Sequence, residues 1–321
     1  MIYLNEKDIL KIGIDWNKTI EIINEAVKCY AVGDYTQPIK PYLRYKNLKN
    51  RIIAMPAFLG GNFNVAGIKW IASFPENIKI GKPRANSIIV LNNADTGEIM
   101  SSINTSLISI IRTASVSGLI IKNFIDQCAR KNLTVGIIGW GPIGKFHYKM
   151  CSKLFGNKIN KYCLYDLKKI EQDNIDETDK DKIIITDSWQ EAYKDSDIVI
   201  TCTVSDSRYI DQIPKEGSLL LNVSLRDFKP KIFEYVKGNI VVDDWEEVCR
   251  ENTDIEMFQK ECGLQKNDTK TIVDILNEKN NFFINKRNVM FNPMGMAIFD
   301  LAISKYYFDL AKQNMVGLLL T

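Results

Sequence analysis

The chemistry this chain can do is concentrated in a glycine loop, one lysine and a few arginines. In Val135-Gly-Ile-Ile-Gly139-Trp-Gly141-Pro142-Ile143-Gly144 an apolar strand runs straight into Gly-x-Gly-x-x-Gly, and residues 145–155 continue as a helix. Backbone without Cβ turns tightly and approaches a pyrophosphate, whose charge then rests on the helix N-terminus. A second apolar strand, 161–166, ends on Asp166. It lies about 20 residues past the loop, the separation expected of a carboxylate that accepts hydrogen bonds from an adenosine ribose. Loop and acid together read as a dinucleotide site; the alternative is a glycine turn that holds no ligand. The only histidine, His147, falls in the first turn after the loop and reads as structural or solvent-facing. A histidine-based hydroxy-acid dehydrogenase is thereby disfavoured. Lysine or carboxylate proton transfer remains, which suits oxidation at an amino-bearing carbon.

Lys69 lies in Val65-Ala-Gly-Ile-Lys-Trp-Ile71, where period-two alternation puts it on one face with Val65, Gly67 and Ile71. Either it snorkels to solvent, or it is desolvated, its pKa lowered, and it exchanges protons near neutrality. Arg112 sits in Leu107-Ile-Ser-Ile-Ile-Arg-Thr-Ala-Ser-Val116, a helix apolar on nearly every side and therefore buried. A buried guanidinium needs an anionic partner, and no acid lies within 101–123. The partner is a distant Asp or Glu, or a substrate carboxylate. Arg44 shares a hairpin face with Tyr42 and Lys46 and, taken alone, is an exposed hairpin arginine.

Two sets of elements must position these groups. From 133 to 244 strands alternate with helices, with strands expected at 133–139, 161–166, 183–186, 197–202, 217–223 and 239–243. Near-continuous apolar runs suit parallel strands buried on both faces. The connection 167–182, rich in Lys, Asp and Glu, reads as a solvated surface segment. The first 125 residues differ: two helices, then short strands at 40–46, 51–55, 65–72 and 87–92, an α+β unit too β-rich to be another Rossmann half. A last helix, 295–314, is expected to return to it. The expected fold is thus α/β: a doubly wound parallel Rossmann sheet at 126–294, plus a discontinuous α+β substrate-binding and dimerisation domain at 1–125 and 295–321. A dinucleotide domain beside an α+β domain suggests a dehydrogenase with its substrate in the cleft.

Composition sets the outer bounds. Hydrophobic residues are 45% and charged residues 25% of the 321, ordinary for a globular protein. A net charge of +3 is too small to imply nucleic acid or a membrane surface. No segment reads as the ~20 apolar residues that span a bilayer, and the charged start suits no secretory signal. Seven scattered cysteines without a Cys-x-x-Cys pair suit a reducing cytoplasm, and one histidine argues against a histidine-built metal site.

Pro41-Tyr-Leu-Arg44, Ala66-Gly-Ile-Lys69, Ser73-Phe-Pro-Glu-Asn77, Leu91-Asn with Thr96-Gly97, Arg112-Thr-Ala114 and the Gly139 loop, in that order, resemble the ornithine cyclodeaminase/μ-crystallin family. The resemblance implies a dimer that binds a nicotinamide cofactor and oxidises or reduces carbon–nitrogen bonds of amino acids and imines. It implies Lys69 as the catalytic lysine, Arg44 and Arg112 on the substrate carboxylate, and Thr113 beside the cofactor. The cofactor set expected here is Thr113, Gly139, Gly141, Pro142, Ile143, Gly144, Asp166, Thr203 and Ser224. Asp166 favours NAD by repelling a 2′-phosphate, which Lys168 and Lys169 soften.

Two departures narrow the resemblance. Where cyclodeaminases carry a catalytic aspartate after the fifth Rossmann strand, this chain has Asn222-Val-Ser-Leu-Arg-Asp227, with Leu225 at that place and Asp227 two residues on. Asp227 is the expected substitute and partner of Lys69. After Gly81-Lys-Pro83, where the family usually has a small residue, stands Arg84. Arg44, Arg84, Arg112 and Arg226 carry more positive charge than one carboxylate needs, so a substrate with two or three carboxylates is inferred. Pro83-Arg84-Ala, Val223-Ser-Leu-Arg-Asp-Phe228 and Val248-Cys-Arg-Glu-Asn-Thr253 are similar to the N-(2-amino-2-carboxyethyl)-L-glutamate dehydrogenases of 2,3-diaminopropionate biosynthesis. That branch implies a pyridoxal-phosphate-dependent synthase upstream and a siderophore or peptide antibiotic downstream. Alternatives are a ketimine reductase, an alanine-type dehydrogenase or an ornithine cyclodeaminase, and a non-catalytic crystallin-like protein.

Overall fold

The structure is a computed structural model that describes residues 1–128, 130–277, 282–284 and 287–320. Its chain divides into two compact units, Met1–Ser115 with Gly295–Thr321, and Val116–Met294. The first division falls inside a helix rather than at residue 125.

In the first unit, α1 (Glu6–Ile12) opens on an Asn5 cap and α2 (Trp16–Ala31) on an Asp15 cap. Each cap supplies an acceptor for amides that the first helical turn leaves unpaired. Strands β1 (Ile2–Asn5), β2 (Tyr35–Thr36), β3 (Tyr42–Leu43), β4 (Arg51–Leu59), β5 (Val65–Ser73), β6 (Ala85–Asn93) and β7 (Ile99–Asn104) form one sheet with the final strand Leu318–Leu319. The order runs Leu318–Leu319, β1, β7, β6, β5, β4, β2, with β3 also on β4. All pairs are antiparallel except β1 with β7. The expected strand at 40–46 shrinks to two residues, and β4 is longer than expected. Register places Met55, Lys69 and Ile89 side by side on the face covered by the last helix, Ala297–Gln313. Gly67 is on that face too, and a Cβ there would meet Val90 O at 2.3 Å and Leu301 at 3.2 Å. The alternation read from sequence thus buries Lys69 beneath a helix.

The helix α3 (Leu107–Cys128) follows β7. With 22 residues it is long and apolar enough to cross a membrane by length and composition, against the expectation that no segment is. Most of it is buried, as in a core helix of a globular protein.

The second unit carries an all-parallel sheet of β8 (Leu133–Ile138), β9 (Ile159–Tyr165), β10 (Ile183–Ile185), β11 (Ile198–Thr201), β12 (Leu219–Asn222), β13 (Ile240–Val242), β14 (Thr269–Thr271) and β15 (Val289–Asn292). The order is β10-β9-β8-β11-β12-β15-β13-β14. The chain builds outward from β8 through β9 and β10 on one side and from β11 through β12 on the other, so the boundary between β8 and β11 is the switch point at which such sheets bind ligands. The α/β fold class stands as expected. Two short strands went unread: β14, and β15, which inserts between β12 and β13. The charged connection 167–182 is not wholly solvated, because Asp179 is buried and accepts from Tyr148 (3.2 Å) and Ser152.

Candidate functional site

Asp300 is the centre of the first unit's polar interior. It lies in the first turn of the helix Ala297–Gln313 and is fully buried. Lys69 Nζ donates to its Oδ2 at 2.6 Å, Arg112 Nε to its Oδ1 at 3.1 Å, and Ser109 Oγ lies 3.3 Å from Oδ1. Burial pulls the Lys69 ammonium down to about 8; Asp300 opposes that, while the charges of Arg112 and Lys40 add to it. The desolvated reading of Lys69 is therefore the structural one. Burial raises the Asp300 carboxyl, but Arg112 and Lys69 outweigh it and hold the group below its ordinary value.

The distant acid that the Arg112 helix required is thus Asp300. Among the described residues the Arg112 guanidinium hydrogen-bonds only through Nε, and Nη1 and Nη2 crowd Gly295. A Cβ at Gly295, whose φ is +88°, would come within 2.6 Å of Nη1 and 2.9 Å of Nη2. Glycine is required twice over, by backbone angle and by the guanidinium. The Gly295 carbonyl accepts from buried Lys40 at 2.8 Å. Thr113, one residue on, turns its hydroxyl onto Ser109 O at 2.7 Å. Arg44 is exposed and stacks on Tyr42, 5.1 Å from the ring centroid, with Arg51 at 5.7 Å. Arg84 is half-buried where β6 begins, and its carbonyl accepts from Phe74.

In the second unit the loop after β8 has the geometry a dinucleotide needs. Gly139 has φ +102°, and a Cβ there would meet Cys202 O at 2.6 Å. A Cβ on Gly144 would meet Gly139 O at 2.0 Å, so that glycine lets the helix α4 (Pro142–Phe155) close onto the loop. At Gly141, the N-cap of α4, a Cβ would meet nothing within 4 Å. That open side, on a helix N-terminus without a side-chain cap, suits an approaching anion. Asp166 accepts from Trp140 N at 2.6 Å and Lys168 N at 2.8 Å, which ties the end of β9 to the loop. Beside it lies a cavity of about 730 Å³ lined by Asp166, Leu167, Lys169, Ile185 and Asp187. His147 is fully buried and not solvent-facing, with Nδ1 2.8 Å from Ile143 O and Nε2 2.8 Å from Ser117 Oγ. Burial takes its pKa down to about 4, against the Ile143 carbonyl.

Asp227, Thr203, Ser224 and Arg226 each have hydrogen-bond partners within this unit. The carboxylate that Lys69 bonds inside its own unit is Asp300, while Asp227 is fully buried in the second unit and accepts from Thr203 at 2.5 Å and from Ser224. Burial raises the Asp227 carboxyl, against the Ser224, Thr203 and Thr201 hydroxyls and the Arg226 charge. The side chains of Thr203 and Ser224, expected at the cofactor, are thereby committed to Asp227. Arg226, expected on substrate, donates to Glu251 O through Nη2 at 2.9 Å and Nε at 3.3 Å. Its turn is fixed by buried Asp254, which takes Asn222 Nδ2 (3.0 Å), Arg208 Nε (2.6 Å) and the amides of Asp227 and Phe228 (each 3.1 Å). Leu225, where the family's aspartate would stand, is buried with φ +66°.

Sequence reasoning missed Asp300, Lys40 and Gly295. A signal for Asp300 was present: an acid inside the apolar run Met296-Ala-Ile-Phe-Asp300-Leu-Ala-Ile303 is the complement of an arginine inside an apolar helix.

Comparison with known proteins supplies the lineage. The model of the ornithine cyclodeaminase/mu-crystallin family matches residues 7–315. The chain belongs to that family. Among its relatives, N-((2S)-2-amino-2-carboxyethyl)-L-glutamate dehydrogenase of Staphylococcus aureus is 32% identical, over 99% of this chain and 97% of that protein. Delta(1)-pyrroline-2-carboxylate reductase of Bacillus thuringiensis subsp. konkukian is 25% identical over 95% of each. The solved structure of the Thermococcus litoralis Delta(1)-pyrroline-2-carboxylate reductase, in complex with NADH and L-proline, superposes with a TM-score of 0.87 at 24% identity, each chain fully covered.

Proposed function

We propose that this protein is an NAD-dependent oxidoreductase acting on the carbon–nitrogen bond of an amino acid, and that its substrate is N-(2-amino-2-carboxyethyl)-L-glutamate. The observation that carries the reading is the buried Lys69–Asp300–Arg112 cluster: a lysine whose pKa falls to about 8 beside a guanidinium with two uncommitted terminal nitrogens. A proton-transfer group and a bidentate carboxylate anchor are what oxidation of an α-amino acid requires. The substrate rests on the 32% identity to the Staphylococcus aureus enzyme, which spans nearly both chains.

The glycine loop and Asp166 suit NAD, with the pyrophosphate on Gly141 and the N-terminus of α4, and the ribose on Asp166. NAD held there would supply the hydride acceptor for the Cα hydrogen of the glutamate moiety. Arg112 holds one substrate carboxylate, and Arg44 and Arg84 are assigned to the others. The bridging nitrogen gives up its proton, the resulting C=N carbon takes oxygen from water, and its bond to nitrogen breaks. In its neutral form Lys69 accepts the two protons of that water one after the other, and as an ammonium it passes each in turn to the leaving nitrogen. Products are 2-oxoglutarate and L-2,3-diaminopropionate. Asp227 is assigned to order Thr203 and Ser224, and Arg226 to brace the turn that carries it.

The same reading includes a homodimer, a cytoplasmic location, a pyridoxal-phosphate-dependent synthase as supplier, and siderophore or peptide antibiotic assembly as consumer.

Incubation with N-(2-amino-2-carboxyethyl)-L-glutamate and NAD should give NADH, 2-oxoglutarate and diaminopropionate in equal amounts. The second reading, a ketimine reductase, draws on the similarity to the pyrroline-2-carboxylate reductases. Turnover of that cyclic imine with NADH, and none of the glutamate derivative, would replace the first reading with the second.

A further inference from the structure

Asp300 has so far been a partner; its arrangement gives it a larger part. One carboxylate receives two cations that come from different elements, Lys69 from β5 and Arg112 from α3. The side chains of Lys69 and Asp300 are 2% and 0% exposed, so water does not supply the missing counter-charge. With Lys69 protonated, the three groups sum to one net positive charge, a costly state in a low-dielectric interior. Arg112 keeps Nη1 and Nη2 uncommitted, so the same guanidinium that shares Asp300 can take a second anion.

We propose that Asp300 is the positioning residue of this site, a counter-ion shared by Lys69 and Arg112 that fixes both side chains and leaves a carboxylate ligand to serve as the second counter-ion. The inference rests on the reading of Lys69 as the proton-transfer group, and it gives that group a regulator. The charged neighbours of Lys69 are Asp300 from the last helix, Arg112 from α3, and Lys40 from the segment before β3. Asp300 favours the ammonium, whereas Arg112 and Lys40 disfavour it. An anion on Arg112 offsets the arginine and so raises the proton affinity of Lys69. Carboxylate binding is then linked to proton uptake by the residue that later returns the proton. The affinity for the anion falls as the solution is made alkaline through the Lys69 midpoint.

The test titrates Lys69 in the whole protein without substrate or turnover, so failure of the proposed reaction would leave its outcome intact. Protein grown on ε-¹³C-lysine is followed by NMR from pH 6 to 11, with the Lys69 signal assigned by its loss in Lys69→Met. Asp300→Asn should lower the midpoint, and Arg112→Gln should raise it. A charge partner at this range moves a pKa by about one to three units. Saturating 2-oxoglutarate should raise the midpoint in the natural protein and leave it unmoved in Arg112→Gln. Midpoints that move in the same direction in both variants, or that stay in place while melting curves report folded protein, overturn the proposal. Should Asp300→Asn fail to fold, Arg112→Gln with and without 2-oxoglutarate decides the matter alone.

Discussion

Two fully buried aspartates, one in each unit, have opposite surroundings. Asp300 meets an ammonium and a guanidinium and is held below the ordinary carboxyl value. Asp227 meets the hydroxyls of Thr203 and Ser224 and is pushed above it. Burial acts on both in the same direction, and only the charge of the donors decides the outcome. A carboxylate paired with full charges is a fixed electrostatic element. One held by neutral hydroxyls can gain a proton at modest cost, so it organises a turn rather than balancing charge. Two aspartates of equal burial therefore have unequal roles.

Removing the proton-transfer group is the largest perturbation on the charged side. Lys69→Met should lower kcat by about 10²–10⁴-fold while NADH binding, followed by nicotinamide fluorescence, is kept. Next comes the direct comparison in urea melts. Asp300→Asn strands two buried cations and should cost about 3–5 kcal/mol. Asp227→Asn keeps its hydroxyl partners and should cost about 1 kcal/mol or less. Equal losses would erase the distinction between the two sites.

A second contrast lies within the glycine loop. Gly144→Ala, whose methyl would meet Gly139 O at 2.0 Å, should lower both the melting temperature and the affinity for NADH. Gly141→Ala meets no protein atom within 4 Å, so it should melt like the natural protein yet bind NADH at least several-fold more weakly.

The smallest effect is a pH dependence, opposite in sign at the two aspartates. Asp300 is depressed, so its stabilisation is present above the unfolded carboxyl value of ~3.9 and is lost as pH falls through the folded value. Asp227 is elevated, so the natural protein loses stability relative to Asp227→Asn as pH rises from ~3.9 through the folded value. Melts of both variants at closely spaced pH values from 3 to 6 should show the two differences diverging.

Much of this was legible one residue at a time. Glycine spacing announced the loop because only backbone can lie where Gly139 and Gly144 lie. The burial of Arg112 followed from the apolarity of its own helix, and the face of Lys69 from strand alternation. The β15 insertion was not legible, since a short apolar run such as Val289–Asn292 says nothing of its neighbours in a sheet. Nor was the bond from Arg226 to the Glu251 carbonyl, because a main-chain acceptor leaves no mark on residue type.

What the sequence determined by itself was local: which backbone can turn, which face is apolar, and which charges cannot stay alone in a core. These follow from steric limits and periodicity within a few residues. Pairing was decided by the tertiary structure. Asp300 lies more than two hundred positions from Lys69 in sequence, and nothing local to either segment names the other. Only the return of the last helix over the sheet face bearing Lys69 brings that carboxylate to 2.6 Å. A buried charge demands a counter-charge wherever the fold can supply one, and sequence states the demand without naming the supplier.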